Sequence, residues 1–217
     1  NLIIKFTSPD RSMLGVVTHK NFQLEDSTIG IISTSQLNKL LAITNGILEL
    51  KYTKNHKLIT KLIISDNQFT LNYAVADIQI IPKSGEYNGD DKYDIIATLD
   101  NESINAIVKA KSALAESDTV VLKSHTDLNG DMQIEMQFGG NIEHSNKVSF
   151  YISDIETNES IPIDFKTHYD SNIIREIMYC NKEIASGKMN INLEGIMNLS
   201  FENGDLKSEY FLVAKEA

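Results

Sequence analysis

Three segments of the chain space their apolar residues every three or four positions, which is the pattern of an amphipathic helix. These segments cover residues 33–45, 101–116 and 169–185. Residues that cap helix N-termini stand at or next to their first positions, namely Ser33, Asp100 and Asp170. Gly46 and Gly187 follow the first and third segments, where glycine commonly ends a helix. The sequence therefore predicts three helices.

Short segments that alternate apolar and polar residues follow each predicted helix, as expected for half-buried strands. They cover residues 47–52, 58–65, 68–73 and 76–81, then 119–124, 132–138, 147–152 and 161–165, and finally 189–193, 196–201 and 209–213. Asn129-Gly130 and Asn203-Gly204 have the composition of two-residue hairpin turns. The repeated unit is a helix followed by antiparallel strands, which predicts the α+β class.

Residues 82–94 lack this periodicity and are rich in Gly, Lys and Asp, which is typical of a linker. We therefore predict a first domain at 1–81, an interdomain linker at 82–94 and a second, similar domain at 95–217. The first 32 residues contain predicted strands and a loop but no helix. If the repeat is complete, a further helix precedes Asn1, so the first domain is expected to lack its N-terminal helix here.

Composition narrows the class of protein. The chain has 217 residues, of which 41 % are hydrophobic and 23 % are charged, as in soluble globular proteins. It contains no apolar run of about 18 residues, so we predict no membrane span. Cys180 is the only cysteine, which excludes an intrachain disulfide and fits a reducing intracellular environment.

Catalytic and metal-binding motifs in the sequence are incomplete. The five histidines are scattered and form no metal-binding pair. The segment from Asp127 to Asp131 begins like a calcium loop, but Met132 and Phe138 stand where such a loop needs glycine and glutamate. No phosphate-binding loop and no nucleophile motif is present. We therefore expect no catalytic residue, no metal and no cofactor.

The net charge of −10 opposes nucleic-acid binding unless cations are concentrated on one surface. At about 100° per residue, Lys39 lies opposite the apolar side of the first helix. Arg175, Tyr179 and Lys182 share the outward side of the third helix. The residues predicted to be buried on that helix are Ile173, Ile177, Cys180, Asn181 and Ile184.

The second helix has a less regular distribution of charge. Its apolar side is formed by Ile104, Ile107, Val108 and Leu114. Lys109 points away from that side, whereas Lys111 lies at its edge and would have to extend its ammonium group toward solvent. A solvated helix surface is one explanation of these cations. Their recurrence on all three helices of an acidic chain favours a binding surface.

The order and spacing of three stretches carry a family resemblance. They are STSQLNKLLAIT (33–44), DNESINAIVKAKSALAESDTVVLK (100–123) and KMNINLEGIMNLSFENGDLKSEYFLVAKEA (188–217). These stretches resemble parts of the sliding clamps of large tailed phages of the T-even type: the first-domain helix, the helix and strand that open the second domain, and the closing strands. The resemblance covers residues 12–217 and departs from the family at the expected N-terminal helix.

The resemblance implies a DNA clamp fold with two similar domains per subunit, helices on the inside of a ring and sheets outside. Three subunits would join edge to edge into a closed ring around duplex DNA. An ATP-dependent clamp loader would place the ring, and the C-terminal peptide of the replicative DNA polymerase would bind an apolar pocket near the linker. The protein would then be a non-catalytic processivity factor in the cytoplasm of the phage-infected host.

This resemblance assigns roles to two sets of residues. The set expected to contact DNA is Lys39, Lys109, Lys111, Arg175 and Lys182. The set expected to line the pocket for the polymerase peptide is Ile80, Ile81, Pro82, Leu212 and Val213, for which ordinary strand core is the alternative. Because the chain has 18 lysines and two arginines, we expect sequence-independent, salt-sensitive contact with DNA.

Two other classes of protein remain open at this point. A non-catalytic, β-rich phage structural protein would share the acidic balance, but it has no need of cations on its helices. A metal-dependent hydrolase would use Asp90, Asp91 and Asp94, from the Gly-Asp-Asp segment in the predicted linker. A stable trimer in solution would favour the clamp over the structural protein, and alanine at the three aspartates would abolish activity if the hydrolase alternative were true.

Overall fold

The computed structural model describes residues 1–22, 26–56, 58–89, 92–140, 145–157 and 161–216. Its helices are α1 (Thr34–Leu41), α2 (Asn101–Ala113) and α3 (Ser171–Cys180), and a 3₁₀ turn covers Ile78–Ile80. The strands are β1 (Leu2–Thr7), β2 (Met13–His19), β3 (Glu49–Asn55), β4 (Leu58–Ser65), β5 (Thr70–Ala74), β6 (Ile95–Asp100), β7 (Thr119–Thr126), β8 (Met132–Gly139), β9 (Lys147–Ile152), β10 (Ile155–Thr157), β11 (Lys166–Asp170), β12 (Ser186–Ile191), β13 (Ile196–Asn203) and β14 (Leu206–Val213). All strand pairs are antiparallel, which confirms the predicted α+β class.

Asn1–Phe22 and Ser84–Ala217 form one compact unit. It contains a seven-stranded sheet in the order β1-β2-β14-β13-β12-β6-β10 and a four-stranded sheet in the order β11-β7-β8-β9. Helices α2 and α3 pack against each other, and their apolar sides share one core with both sheets. The largest fully buried side chains include Leu99, Ile104, Ile107, Leu122, Met136, Phe138, Tyr169, Ile174, Met178 and Phe201.

Two glycines let aromatic rings enter this core. A Cβ atom at Gly15 would lie 2.2 Å from the ring of Phe6, and one at Gly187 would lie 2.4 Å from the ring of Phe201. Both rings meet Tyr210 edge to face, with centroids 6.1 Å and 6.3 Å from the Tyr210 centroid. Strands β1 and β2 are therefore attached to the core through close aromatic packing that side chains at these glycines would block.

A buried polar group fixes the end of α3 to strand β14. The amide nitrogen of Asn181 donates to the carbonyl of Ile177 at 2.8 Å, and the amide oxygen accepts from the hydroxyl of Ser208 at 3.0 Å. The same amide nitrogen lies 3.3 Å from the hydroxyl of Tyr210. Because Asn181 is 5 % exposed, these bonds replace those that water would supply.

Residues Gln23–Lys83 form the second compact unit, with a three-stranded sheet in the order β3-β4-β5 and helix α1. Its core is small and consists of Leu62, Ile64, Leu71 and Tyr73. The hydroxyl of Tyr73 donates to the carbonyl of Ser33 at 3.3 Å, which ties β5 to the start of α1. Ser33 caps the helix by accepting from the N–H of Gln36 at 3.2 Å, as the sequence predicts.

The compact units divide the chain after residues 22 and 83, whereas the repeat in the sequence predicts domains at 1–81 and 95–217. Strands β1 and β2 belong to the same sheet as β14, which they reach through the β2–β14 pairing. A compact unit and a repeat are different properties of a chain. The predicted bounds of the two domains and of the linker therefore stay a prediction.

Two predicted strands are wrong. Residues 76–81 turn instead, because the carboxylate of Asp77 accepts from the N–H of Gln79 at 2.9 Å and starts the 3₁₀ turn. Residues 161–165 also turn, because the N–H of Phe165 donates to the carbonyl of Pro162 at 2.9 Å, and the strand begins one residue later as β11. Strands β6 and β10 were not predicted.

Helix α3 differs from its prediction in length and in orientation. It is shorter than the predicted segment because β11 continues to Asp170, and Asn181 forms the C-terminal cap. Its buried residues include Ile174 and Met178, whereas Cys180 is exposed, so the prediction that Cys180 is buried is wrong. Compared with the prediction, the buried side of the helix is rotated toward Ile174 and Met178, because these residues face the core that the helix shares with both sheets.

Candidate nucleic-acid interface

Helices α2 and α3 run antiparallel beside each other. At one end, the side-chain amide of Asn101 donates to the carbonyl of Lys182 at 2.5 Å. At the other end, the Nε of Arg175 lies 3.5 Å from the hydroxyl oxygen of Ser112. We call the outward side of these two helices, together with the turn that follows α3, the helix layer; its cations are Lys109 on α2, Arg175 on α3 and Lys182 in that turn. The sequence predicted all three to point away from the core.

Capping carboxylates determine where both helices start. Asp100 accepts from the N–H of Ser103 at 2.7 Å, and Asp170 accepts from the N–H groups of Asn172 and Ile173 at 2.9 Å and 3.0 Å. The hydrogen bonds from the side chain and backbone of Ser103 lower the pKa of Asp100. Both carboxylates therefore stay charged at neutral pH and complement the positive ends of the helices.

The cations of the helix layer differ in their partners. Arg175 forms an ion pair with Glu176, which neutralises part of its charge. In the part of the chain that the structure describes, no carboxylate lies within ion-pair distance of Lys109 or Lys182. The ammonium of Lys182 instead lies 4.2 Å from the ring centroid of Tyr179. Two of the three cations are thus available to an external anion.

Acidic residues share this surface. They are Glu102, Glu116, Glu176 and Glu183, all exposed. The helix layer is therefore a mixed surface: its cations lie on α2, on α3 and just after α3, Glu102 and Glu176 lie on the helices, and Glu116 and Glu183 follow the helix ends. Such a surface can hold a polyanion only weakly, and salt would screen the attraction readily.

The prediction that Lys111 contacts DNA disagrees with its position in the structure. Lys111 is 2 % exposed. Its ammonium donates to the carbonyl of Ala115 at 2.7 Å and lies 3.4 Å from the carbonyl of Leu114, both just beyond the end of α2. The side chain therefore bonds to the Ala115 carbonyl and adds a longer contact to the Leu114 carbonyl, which also accepts from the N–H of Ser117, and it presents no charge at the surface.

Lys39 belongs to the other compact unit. It is exposed and lies in the last turn of α1, where a cation is favoured by the helix dipole. No residue of α1 is buried, and its apolar residues Leu37, Leu40 and Leu41 are half-buried. The predicted outward direction of Lys39 agrees with its exposure, but its contact with DNA stays a prediction.

The residues predicted to line the partner pocket fall in both compact units. Ile80 is 64 % exposed at the end of the 3₁₀ turn, Ile81 packs against Gly30, and Pro82 is exposed. Val213 is 51 % exposed at the end of β14, whereas Leu212 is 2 % exposed and belongs to the core. Leu212 therefore matches the alternative of ordinary strand core, and the other four residues remain candidates.

A segment at the start of the predicted linker packs on the seven-stranded sheet, which the sequence did not predict. We call residues 84–89 the strap. The ring of Tyr87 stacks on Phe211 with centroids 4.5 Å apart, and Glu86 forms an ion pair with Lys5 at 2.7 Å. This ion pair lowers the pKa of Glu86. A single aromatic residue in an otherwise polar segment was the signal in the sequence.

Other candidate chemistry is weaker. Among the described residues, no group of three or more His, Cys, Asp or Glu side chains can hold a metal ion. Asp90 and Asp91 lie outside the described residues, and Asp94 accepts from the backbone N–H of Leu193 at 2.7 Å. Asp127 accepts from the N–H groups of Asn129 and Asp131 at 2.8 Å and 2.9 Å, which is the predicted hairpin turn.

No helix in the described part of the chain is long and apolar enough to cross a membrane.

The fold is similar to that of several solved structures. Proliferating cellular nuclear antigen (PCNA) from Entamoeba histolytica superposes with a TM-score of 0.74 at 18 % identity, over 99 % of this chain and 85 % of that one. PCNA from Thermococcus kodakaraensis gives 0.71 at 12 % identity, over 98 % and 86 %. A PCNA2–PCNA3 complex from Sulfolobus tokodaii gives 0.70 at 10 % identity, over 99 % and 86 %. No family model and no curated protein sequence matches the chain.

Proposed function

We propose that the chain is a subunit of a DNA sliding clamp, a non-catalytic ring that encircles duplex DNA. The observation that carries this proposal is the fold, which superposes on PCNA structures over 98–99 % of the chain at TM-scores of 0.70–0.74. The resemblance to the T-even clamps supports the same function independently of the fold. A ring is retained on DNA by its topology, so strong contacts are unnecessary and would oppose sliding.

The DNA-contacting set in this proposal is Lys39, Lys109, Arg175 and Lys182. Lys111 is left out because its ammonium group is buried. Lysine suits contact with a moving duplex, because a flexible point charge meets phosphates without fixed geometry. The mixed charge of the helix layer supports weak, salt-sensitive contact, and the scarcity of arginine supports the absence of base readout.

The ring would close through sheet edges, as a homotrimer in this proposal. Several edges are protected: β3 carries Glu49, Lys51 and Lys54, β11 carries Lys166 and Asp170, β10 has three residues, and β1 lies next to the strap through Lys5. Charged and short edges resist pairing with another chain. Strand β5 carries no charge and β9 carries only Lys147, so we assign the subunit contacts to β5 and β9.

The remaining parts of the proposal rest on the resemblance to the T-even family. An ATP-dependent clamp loader would place the ring, and the C-terminal peptide of a replicative DNA polymerase would bind an apolar pocket that includes Ile80, Ile81, Pro82 and Val213. The protein would act in the cytoplasm of a host cell infected by a large tailed phage. Processive synthesis would then follow from tethering, with no reaction at the clamp itself.

Matched charge reversals test the proposed DNA contact. One variant replaces Lys39, Lys109, Arg175 and Lys182 by glutamate, and its control replaces the exposed Lys20, Lys51, Lys166 and Lys188, which lie outside α2 and α3. Both changes alter the net charge equally. Binding of a short fluorescent duplex at low salt should be lost in the first variant and retained in the control. Equal loss in both variants would contradict the proposal, because binding would then follow net charge alone.

A further inference from the structure

The ring of Tyr179 on helix α3 lies near two cations, Arg175 on the same helix and Lys182 in the turn that follows it. The Nζ of Lys182 is 4.2 Å from the ring centroid, and the guanidinium carbon of Arg175 is 5.6 Å from it. The spacing of four residues places Arg175 and Tyr179 on one side of α3, and Lys182 follows the C-terminal cap, Asn181. Tyr179 is 46 % exposed, so burial in the core does not account for the position of its ring.

A cation over an aromatic ring is attracted by the negative charge of the ring face. The attraction restricts side chains that would otherwise sample many rotamers, since lysine and arginine each lose considerable side-chain entropy when they are fixed. Lys182 depends on the ring most, because no carboxylate of the described residues lies within ion-pair distance of it. Arg175 has Glu176 and Ser112 as further partners.

We propose that Tyr179 is a positioning residue of the DNA-contacting surface, whose ring holds the charged groups of Lys182 and Arg175 where they meet duplex phosphates. This inference rests on the proposed function. The ring is the active part of the side chain, because the attraction comes from the ring face and not from the hydroxyl group. Phenylalanine at this position should therefore replace tyrosine, and leucine should not.

The side chain of Tyr179 does not contribute to the buried contacts that hold α3 in place. The helix is anchored by Ile174, Ile177 and Met178, which are at most 4 % exposed, and by the buried amide of Asn181. Removal of the Tyr179 ring should leave these contacts in place. A loss of DNA affinity in a Tyr179→Leu variant with unchanged thermal stability would therefore come from the cations and not from the helix.

The first measurement detects the contact between the Tyr179 ring and the Lys182 side chain directly. In proton–carbon NMR spectra of the full chain without DNA, the ε-methylene protons of Lys182 should be shifted upfield by the ring current of Tyr179. The shift should persist in Tyr179→Phe and disappear in Tyr179→Leu. An unchanged Lys182 signal in Tyr179→Leu would overturn the inference, whatever the protein does with DNA.

The second measurement reads the functional consequence, as the affinity for a short duplex at low salt. Tyr179→Leu should weaken binding about 2- to 5-fold, which corresponds to about 0.5–1 kcal/mol for a cation over an exposed ring. Tyr179→Phe should bind like the unchanged chain. On a Lys182→Met and Arg175→Met background, Tyr179→Leu should have no further effect, because the ring has no cations left to hold.

A matched control is available on a strand. Tyr52 on β3 also has a cation near its ring, since the Nζ of Lys54 lies 5.3 Å from the centroid. Tyr52→Leu removes a similar contact outside α2 and α3 and should leave duplex affinity unchanged. Full additivity of the Tyr179 and cation changes, or an equal loss in Tyr52→Leu, would overturn the inference. If reversal of Lys182 and Arg175 to glutamate has no effect on duplex binding, the proposed DNA contact through these two cations fails, and the positioning role of Tyr179 fails with it, whereas the NMR shift separately decides whether the ring holds the cations.

Discussion

The ring of Tyr87 stacks on the ring of Phe211, with centroids 4.5 Å apart and planes inclined by 16°. This contact attaches the strap, residues 84–89, to the outer surface of the seven-stranded sheet beside β2. Gly85 lies against Leu14 on the same surface, where an added Cβ atom would be 3.3 Å from the Leu14 side chain. The first part of the predicted linker is therefore packed, and it covers apolar surface of β2 and β14.

Tyr87→Ala should release the strap. Stacked aromatic pairs contribute about 0.5–1.5 kcal/mol beyond the area they bury, so the free energy of unfolding should fall by about 1 kcal/mol. Limited proteolysis within residues 84–94 should accelerate, because a detached segment is accessible to the enzyme. Asn88→Ala, an exposed change in the same strap, is the control. Equal cleavage rates in all three proteins would show that the stack does not hold the strap.

Lys111→Ala should lower the stability of the folded protein and leave its affinity for duplex DNA unchanged. The change removes the donor to the carbonyls of Ala115 and Leu114, and loss of hydrogen bonds at a buried site costs about 1–3 kcal/mol. Urea denaturation should show this loss, and Lys111→Met should lose less because it keeps an apolar side chain of similar length. Lys109→Ala should show the reverse pattern, with unchanged stability and weaker duplex binding. Weaker binding by a stably folded Lys111→Met variant would return Lys111 to the DNA-contacting set.

Asn181→Ala should be more harmful than Ser208→Ala. Removal of the amide leaves the Ser208 hydroxyl without its acceptor and the Tyr210 hydroxyl without its donor in a buried environment, which costs about 1–3 kcal/mol for each unsatisfied group, whereas the Ile177 carbonyl keeps the backbone N–H of Asn181. Removal of the Ser208 hydroxyl leaves only one acceptor unsatisfied. Chemical denaturation of the two variants measures the difference. Equal stability of both variants and the unchanged chain would mean that the amide does not anchor α3.

Asp170 makes stability depend on pH in the acidic range. Burial of this carboxylate alone would raise its pKa, but the Lys215 ammonium at 2.8 Å and the N–H groups of Ile173 and Asn172 lower the pKa overall. A lowered folded-state pKa means that the stabilisation is present above the unfolded value, about 3.9, and is lost as the pH falls through the folded value. Asp170→Asn should keep the helix cap and flatten the acid limb of a thermal-stability profile. A profile that remains parallel to that of the unchanged chain below about pH 4 would contradict this role.

Periodicity predicted the elements whose side chains alternate regularly between core and solvent. Helices α1, α2 and α3 and most strands lie where the pattern placed them, because burial on one side of an element leaves a regular trace in the sequence. The apolar–polar pattern predicted a strand incorrectly where a polar side chain starts a turn of the backbone. Asp77 starts a turn inside an apolar run, and no feature of residues 76–81 distinguishes that run from a strand.

The sequence predicted only part of the candidate site, because helical spacing gives the direction of a side chain but not the contacts at the end of a helix. Lys109, Arg175 and Lys182 are outward because helical spacing fixes their direction. Lys111 was misplaced because its long side chain reaches the carbonyls at the end of α2 instead of solvent, which depends on where that helix ends. The packing of the strap was not predicted because it depends on the contact of Tyr87 with Phe211, which lies 124 residues later in the chain. The spacing of residues within the linker does not indicate such a distant contact.

Photocrosslinking from Cys180 tests most directly whether α3 faces the duplex. Cys180 is the only cysteine and is exposed at the end of α3, so a photoreactive group can be attached without further changes. Partial desolvation of the thiol by its neighbours and the charge of Glu176 raise the pKa of this thiol, so attachment should be carried out at mildly alkaline pH. The control carries Cys180→Ser and Glu202→Cys, which moves the group to an exposed position on β13. We predict crosslinks to a duplex from Cys180 that are independent of its sequence and lost at high salt, and none from position 202. Crosslinks of equal or greater yield from position 202 would contradict a clamp that meets DNA through its helices.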